Sequence, residues 1–332
     1  MASVTKADKQ IVKELETVGQ RLEAARGAIG EVIFGQTEVV ELSLIAILAG
    51  GHALLVGAPG LAKTKLAASL GRILGLAEKR VQFTPDLMPA DILGSEVLEE
   101  SERGKRQFRF VPGPIFCQLM MADEINRASP RTQSALLQAM QEHHVTIAGD
   151  RHDLPRPFHV LATQNPIEQE GTYPLPEAQL DRFLLEIDVP YPALEAERRM
   201  LFATTGAEEA EARPVLTATE LLNAQRLTRL IPVGEQVAEA ILRVVRSARP
   251  GADADDFVNR HVAWGPSPRA SQALMLGARA RALLQGRLSP SLDDVAALIA
   301  PVFKHRMALN FTARAEGHTV ETAIARLRDT LA

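Results

Sequence analysis

The stretch that most constrains this chain is Gly57-Ala58-Pro59-Gly60-Leu61-Ala62-Lys63-Thr64. It follows the apolar run Ala53-Leu54-Leu55-Val56, short enough for a buried strand. It precedes Lys65 to Leu74, where Leu66, Leu70, Ile73 and Leu74 recur at helical spacing. A strand, a glycine-rich loop, a lysine with a hydroxyl and then a helix together cradle a nucleotide phosphate chain. Backbone N–H groups point at the anion, Lys63 adds a point charge, and the Thr64 hydroxyl reaches a magnesium ion. Ala62 departs from the usual pattern, because a glycine normally precedes the lysine. A residue with a Cβ resists positive φ, so the sequence predicts negative φ at Ala62 and leaves any left-handed turn to Gly60.

The rest of the chain bounds what such a loop can serve. A length of 332 residues allows a large core and more than one domain. Aromatics make up 4% of the residues and the net charge is −4, which argues against a stacking platform or a bulk-basic surface for nucleic acid. Cys117 is the only cysteine, which excludes an intrachain disulfide and a thiolate metal cluster. Its place in Ile115-Phe116-Cys117 reads as a buried thiol. Neither a signal peptide nor an apolar run of membrane-spanning length is visible, and a cytoplasmic location is the expectation.

Taken in order, residues 6–29 read as a charged helix with Ile11, Leu15, Val18 and Leu22 on one stripe. A turn at Val32 to Gln36 follows, then a helix from Val39 to Leu48. Strands are expected at Arg80 to Thr84, Phe116 to Met121, Phe158 to Asn165 and Leu184 to Val189. Two hairpins interrupt them. One pairs Val97-Leu98-Glu99 with Gln107 to Val111 across the charged turn Glu100 to Lys105. The other pairs Val145-Thr146-Ile147 with Arg151 to Leu154 across Gly149-Asp150. Ser129-Pro130 opens a helix. Beyond residue 190 only helices are expected, with capping boxes at Thr217–Glu220 and Ser291–Asp294 and a loop at Ala207 to Ala212. Strands alternating with helices imply a parallel α/β sheet followed by an all-helical domain.

A second phosphate-site element should be an apolar strand ending in acids, and Met120-Met121-Ala122-Asp123-Glu124 fits. Asp123 would orient the magnesium water shell, and Glu124 would accept a proton from the attacking water or orient it. Asn165 ends the next strand on the same side of the sheet, within reach of water or the γ-phosphate. His143, His144, His152 and His159 cluster in sequence around the second hairpin. Their spacing does not support a metal site, and a solvated or packing role suits them better.

With the phosphate loop, two further motifs resemble the MoxR family of AAA+ ATPases. They are Ala122-Asp123-Glu124-Ile125-Asn126-Arg127-Ala128 and the run from Thr163-Gln164-Asn165-Pro166 to Leu180-Asp181-Arg182-Phe183. Trp264-Gly265-Pro266-Ser267-Pro268-Arg269-Ala270 matches as well. The resemblance implies an AAA+ P-loop parallel sheet core with helix-2 and pre-sensor-1 hairpin insertions and an all-helical lid. It divides the chain into an N-terminal helix (1–30), the core (31–190), a linker (191–216) and the lid (217–332). It places Gly57 to Lys65 on the phosphates, with Lys63 and Thr64 in Walker A, and Asp123 and Glu124 in Walker B. Asn165 becomes sensor 1. Arg182 becomes an arginine finger reaching a neighbouring subunit, with Arg127 and Arg131 as further interface candidates. Arg269 becomes sensor 2 near the γ-phosphate, and Ile33-Phe34-Gly35-Gln36 lies beside adenine.

ATP or ADP and magnesium are the implied cofactors. The implied assembly is a homo-oligomeric, hexameric ring that remodels or matures a client protein complex. A partner with a von Willebrand factor A domain is implied too. A nucleic-acid motor is one alternative, but Gly149-Asp150-Arg151-His152-Asp153 carries no excess of positive charge. In the first hairpin Arg103, Lys105, Arg106 and Arg109 are offset by Glu99, Glu100 and Glu102. A metal-chelatase motor subunit is another, though its signature differs from Ala122 to Ala128. A non-motor P-loop kinase would lack Asn165 and the distal arginines.

Overall fold

The computed structural model describes residues 6–100, 106–167, 171–205 and 212–331, with side chains from residue 10 onward. The turn residues Glu102, Arg103 and Lys105, residues 168–170, and residues 207–211 of the expected loop lie outside them. In chain order the elements begin with α1 (Lys6–Gly30), α2 (Thr37–Leu48), β1 (Ala53–Val56), α3 (Lys63–Ile73) and β2 (Glu78–Gln82). Next come α4 (Pro89–Leu93), the hairpin β3 (Gly94–Glu100) and β4 (Arg106–Pro112), β5 (Leu119–Asp123) and α5 (Pro130–Glu142). The second hairpin, β6 (His144–Ile147) and β7 (Asp150–Asp153), leads to β8 (His159–Gln164), α6 (Glu177–Leu180) and β9 (Leu185–Asp188). Helices then dominate: α7 (Leu194–Thr204), α8 (Ala218–Leu230), α9 (Glu235–Ser247), α10 (Asp256–His261), α11 (Pro268–Leu284), α12 (Leu292–Phe303), α13 (Phe311–Ala315) and α14 (Val320–Asp329). They are interrupted by a short antiparallel pair, β10 (Val262–Trp264) and β11 (Ala308–Leu309).

The main sheet runs β2-β5-β8-β1-β9, and every pairing in it is parallel. Its central strands are short apolar runs buried on both faces, as a helix-covered parallel sheet requires. Alternation along β1 splits the core. Ala53 and Leu55 join α1, α2, α3 and the C-terminal helices on one face, and Leu54 joins Ile125, Met140 and Phe183 on the other. The register sets Gln82 beside Asp123 and Val56 beside Gln164, so three strand ends and the phosphate loop open on one edge.

Several elements differ from the sequence reading. The strand expected from Phe116 begins only at Leu119. Cys117 N donates to Ile115 O in a tight turn, and the Gln118 side chain bridges Ala77 N and Arg156 O. Ile115 and Cys117 are buried in that turn, and burial alone does not separate a turn from a strand. Residues 191–216 contain the helix α7, and β10–β11 interrupts the region expected to be helical only. Ser129 and Thr217 cap their helices as expected, each accepting a bond from the backbone three residues on.

Two buried histidines tie the sheet to its neighbours. His52 accepts a bond from Val160 N and donates one to Met140 O. His159 donates to Gly51 O and accepts from Gln225 Nε2, which also donates to Ile47 O. Burial, with the neighbouring imidazoles adding to it, pushes His52 down to about 3 and His159 to about 4. His305, buried against Phe183 O, is also held well below its usual value by burial. These rings are neutral when folded but take up protons near pH 6.5 when unfolded. Their stabilisation is therefore complete above pH 6.5 and is lost as pH falls toward the folded values. Unfolding free energy from urea melts should drop below pH 6.5 by about 1.4 kcal/mol per pH unit for each ring.

Candidate active site

The phosphate loop leaves β1 and enters α3 in a cleft of about 430 Å³ lined by Pro59 to Lys65, Asp123, Glu124 and Asn165. Gly57 is required by packing, since a Cβ there would lie 2.6 Å from Val189 O. Lys63 Nζ donates to Gly57 O and Ala58 O at 2.6 and 2.8 Å, so the lysine lies along the loop. Burial lowers its pKa, and Asp123 and Glu124 oppose that shift.

The prediction for Ala62 fails. Its φ is +57, left-handed like Gly60 at +83. Ala62 is the N-cap of α3, and its carbonyl accepts the first helical bond from Leu66 N at 2.8 Å. A left-handed residue at that point turns successive N–H groups into one concavity, a demand that outweighs the Cβ penalty of about 1–2 kcal/mol. Glu124 is left-handed too, with φ +56, and lines the same cleft. Such outliers persist where the surroundings over-determine them, commonly at working sites.

The two acids are held differently. Asp123 Oδ1 accepts from Thr163 Oγ1 at 2.6 Å, and Oδ2 accepts from Arg80 Nη2 and Nε at 2.6 and 3.1 Å. Glu124 Oε2 accepts from Gln82 Nε2 at 2.8 Å and Arg127 Nη1 at 3.0 Å, while Glu124 N donates to Thr163 Oγ1. Asn165 is buried, and its Oδ1 accepts from Ile167 N. Sequence reasoning missed Arg80, Gln82 and Thr163. Their signal is their place at strand ends beside β5, which only the strand order supplies.

A neighbouring cleft of about 230 Å³ shares Pro59 to Ala62 and Lys65 with the phosphate loop. Ile33, Phe34 and Gln36 form one wall, and Tyr191, Pro192 and Met200 form the other. Gly35 has φ +69, and a Cβ there would meet Ala196 Cβ at 2.5 Å. Gln36 Nε2 donates to Pro190 O. The apolar lining fits a flat heterocycle joined to a phosphate chain.

Arg182 and Arg269 lie elsewhere. Both line a second cleft of about 260 Å³ that shares no residue with the phosphate cleft. The expectation that Arg269 lies near the γ-phosphate is therefore not met within this chain. The reason is the joint that sets α11. Ser267, its N-cap, donates to Asp181 Oδ2, while Asp181 Oδ1 accepts from the buried Arg306. Docked there, the first turn of α11 carries Arg269 to the side of Arg182. Neither guanidinium has a hydrogen-bond or ion-pair partner among the described residues. Arg127 is engaged by Glu124, and Arg131 is exposed at the start of α5.

A parallel sheet ending in a phosphate loop with two acids and a polar strand end defines a P-loop nucleotide-binding protein. The model of the ATPase family associated with various cellular activities (AAA) matches residues 52–185, and that of the AAA lid domain matches 255–327. Chaperone MoxR1 of Mycobacterium tuberculosis is 41% identical over 94% of this chain and 82% of its own length. Protein MoxR of Paracoccus denitrificans is 34% identical over 87% of this chain and 89% of its own. A crystal structure of a candidate ATPase from Cytophaga hutchinsonii superposes with TM-score 0.87 at 33% identity, covering 96% of both chains. The chain belongs to the MoxR family of AAA+ ATPases. Among the described residues no helix is long and apolar enough to cross a membrane.

Two substitutions probe this geometry. Ala62→Gly removes the left-handed strain and should raise stability by up to about 1 kcal/mol in denaturant melts, with the loop intact. Asp181→Ala strands the buried Arg306 cation and should cost about 3 kcal/mol, read as a lowered urea midpoint.

Proposed function

We propose that the chain is a magnesium-dependent ATP hydrolase whose site is completed by a second copy of itself. The observation that carries this reading is the separation of the two halves. One cleft gathers Lys63, Thr64, Asp123, Glu124 and Asn165, and another presents Arg182 and Arg269. Phosphoryl transfer needs positioning and charge stabilisation more than covalent chemistry. The arginines at the phosphate cleft, Arg80 and Arg127, are already paired with Asp123 and Glu124, so a further arginine for the developing charge has to come from outside it. A ring in which each copy offers its second cleft to the next copy's phosphate cleft supplies both. Turnover would then drive remodelling or maturation of protein complexes, alongside a partner bearing a von Willebrand factor A domain. The chaperone name of the Mycobacterium relative supports that role.

Within the phosphate cleft, Lys63 would exchange its two loop carbonyls for phosphate oxygens. Thr64 and Asp123 would hold magnesium, which supplies charge neutralisation at the phosphates when bound. Asp123 fits an outer, water-mediated role: three donors already occupy its two oxygens, leaving roughly one acceptor position of about four. Gln82 and Arg127 fix Oε2 of Glu124, which turns Oε1 to the attacking water as orienter or proton acceptor. Asn165 lines the cleft with its Oδ1 accepting from Ile167 N, and its side-chain amide would contact water or the γ-phosphate.

Mixing two inactive variants tests the reading. Arg182→Ala and Glu124→Gln should each lose turnover, roughly a thousandfold for the arginine, while retaining nucleotide binding. Mixed together they should regain part of the activity, because Glu124→Gln subunits still lend Arg182 to intact acids. Arg269→Ala should complement in the same way. No recovery on mixing, with rings assembled, would place both arginines on their own subunit's nucleotide and end the proposal. Turnover per chain should also rise with protein concentration, and DNA should not stimulate it.

A further inference from the structure

Away from these clefts, a set of metal-ligating side chains is assembled in the C-terminal helical region. His261 closes α10, while Glu316 and His318 flank Gly317 in the turn between α13 and α14. Gly317 is left-handed at φ +81, reversing the chain so that both neighbours reach back to α10. One ligand atom from each of the three residues lies within 4.8 Å of the others. Glu316 Oε2 is 2.9 Å from His261 Nε2 and 3.7 Å from His318 Nε2. Zinc bonds of about 2.0–2.1 Å at tetrahedral angles set ligand atoms roughly 3.3 Å apart, a value these two separations bracket.

The surroundings fix the rings. His261 Nδ1 lies 3.0 Å from Phe257 O, and a carbonyl only accepts, so Nδ1 carries hydrogen and Nε2 faces Glu316. A backbone carbonyl behind one ring nitrogen is the usual support of a metal-bound imidazole. Phe257 packs on both rings, with centroids at 4.5 and 5.1 Å, and the Arg326 guanidinium stacks on Phe257 instead of pairing with Glu316. A simple ion pair needs only His261 and Glu316. It does not account for a second imidazole aimed at the same carboxylate oxygen.

We propose that His261, Glu316 and His318 form a zinc site that staples α10 to the α13–α14 turn. Two imidazoles and one carboxylate suit zinc, whereas magnesium and calcium favour oxygen ligands alone. Glu316 and His318 are partly exposed, so a fourth position opens to water. The site involves no residue of the phosphate cleft and stands independently of the ATPase reading.

The test is calorimetric titration of zinc chloride into chelator-stripped full-length protein, in nucleotide-free buffer containing magnesium. One zinc per chain is expected, with His318→Ala and Glu316→Gln each weakening binding by at least about tenfold. Circular dichroism should show both variants folded, since both positions are partly exposed. Cobalt in place of zinc should give a visible absorption band that His318→Ala alters. Failure of the parent to bind zinc, or equal binding by the parent and both variants, would overturn the proposal.

Discussion

The carboxylate of Asp181 holds the two halves of this molecule in register. Arg306 is 2% exposed, its guanidinium bonded to the carbonyls of Val302, Phe183, Leu184 and Asp181. Carbonyl dipoles satisfy its hydrogens, and Asp181 is the carboxylate that pairs directly with its charge in that dry setting, with Glu186 adding a smaller attraction. Burial lowers its pKa and Asp181 opposes the shift. The other oxygen of the same carboxylate receives the Ser267 hydroxyl at the start of α11. One side chain thus fixes where the approach to β9 ends and where the long lid helix begins. The placement of Arg182 and Arg269 follows from that bond pair.

The phosphate cleft rests on a different compromise. Local preference would keep Ala62 and Glu124 out of left-handed backbone, yet both adopt it where their N–H groups or carboxylate must face the cleft. Glu124 gains a bond from its own N–H to Thr163 and two more to its carboxylate, which offset the strain. Thr163 links the acids: its hydroxyl donates to Asp123 and accepts from Glu124 N, so the strand ends of β5 and β8 act as one unit.

Much of this was legible in the sequence because a parallel sheet sends its strand ends to a single edge. Asp123, Glu124 and Asn165 each close an apolar run, and that suffices to bring them to the phosphate loop. Arg80 and Gln82 were not legible, since their strand sits beside β5 only through a crossover that periodicity does not encode. Tyr191 and Met200 were hidden in a stretch read as linker, where α7 supplies the second wall of the apolar cleft. The sign of φ at Ala62 was misread because residue preference was weighed without the helix start it serves. The setting of Arg269 beside Arg182 was not legible because it depends on Asp181, a tertiary contact between residues far apart in the chain.

The apolar cleft has a consequence for how the chain holds together. Its walls come from Ile33 and Phe34, ahead of β1, and from Tyr191 and Met200, beyond β9. A ring seated between them would touch both ends of the sheet-forming segment at once and close it into a loop. Such a ligand acts as a reversible cross-link. Because it binds only the closed form, it stabilises that form by mass action, and its effect grows with the logarithm of its concentration. The abundance of the nucleotide would then set how often the sheet domain opens, in addition to how fast the site turns over.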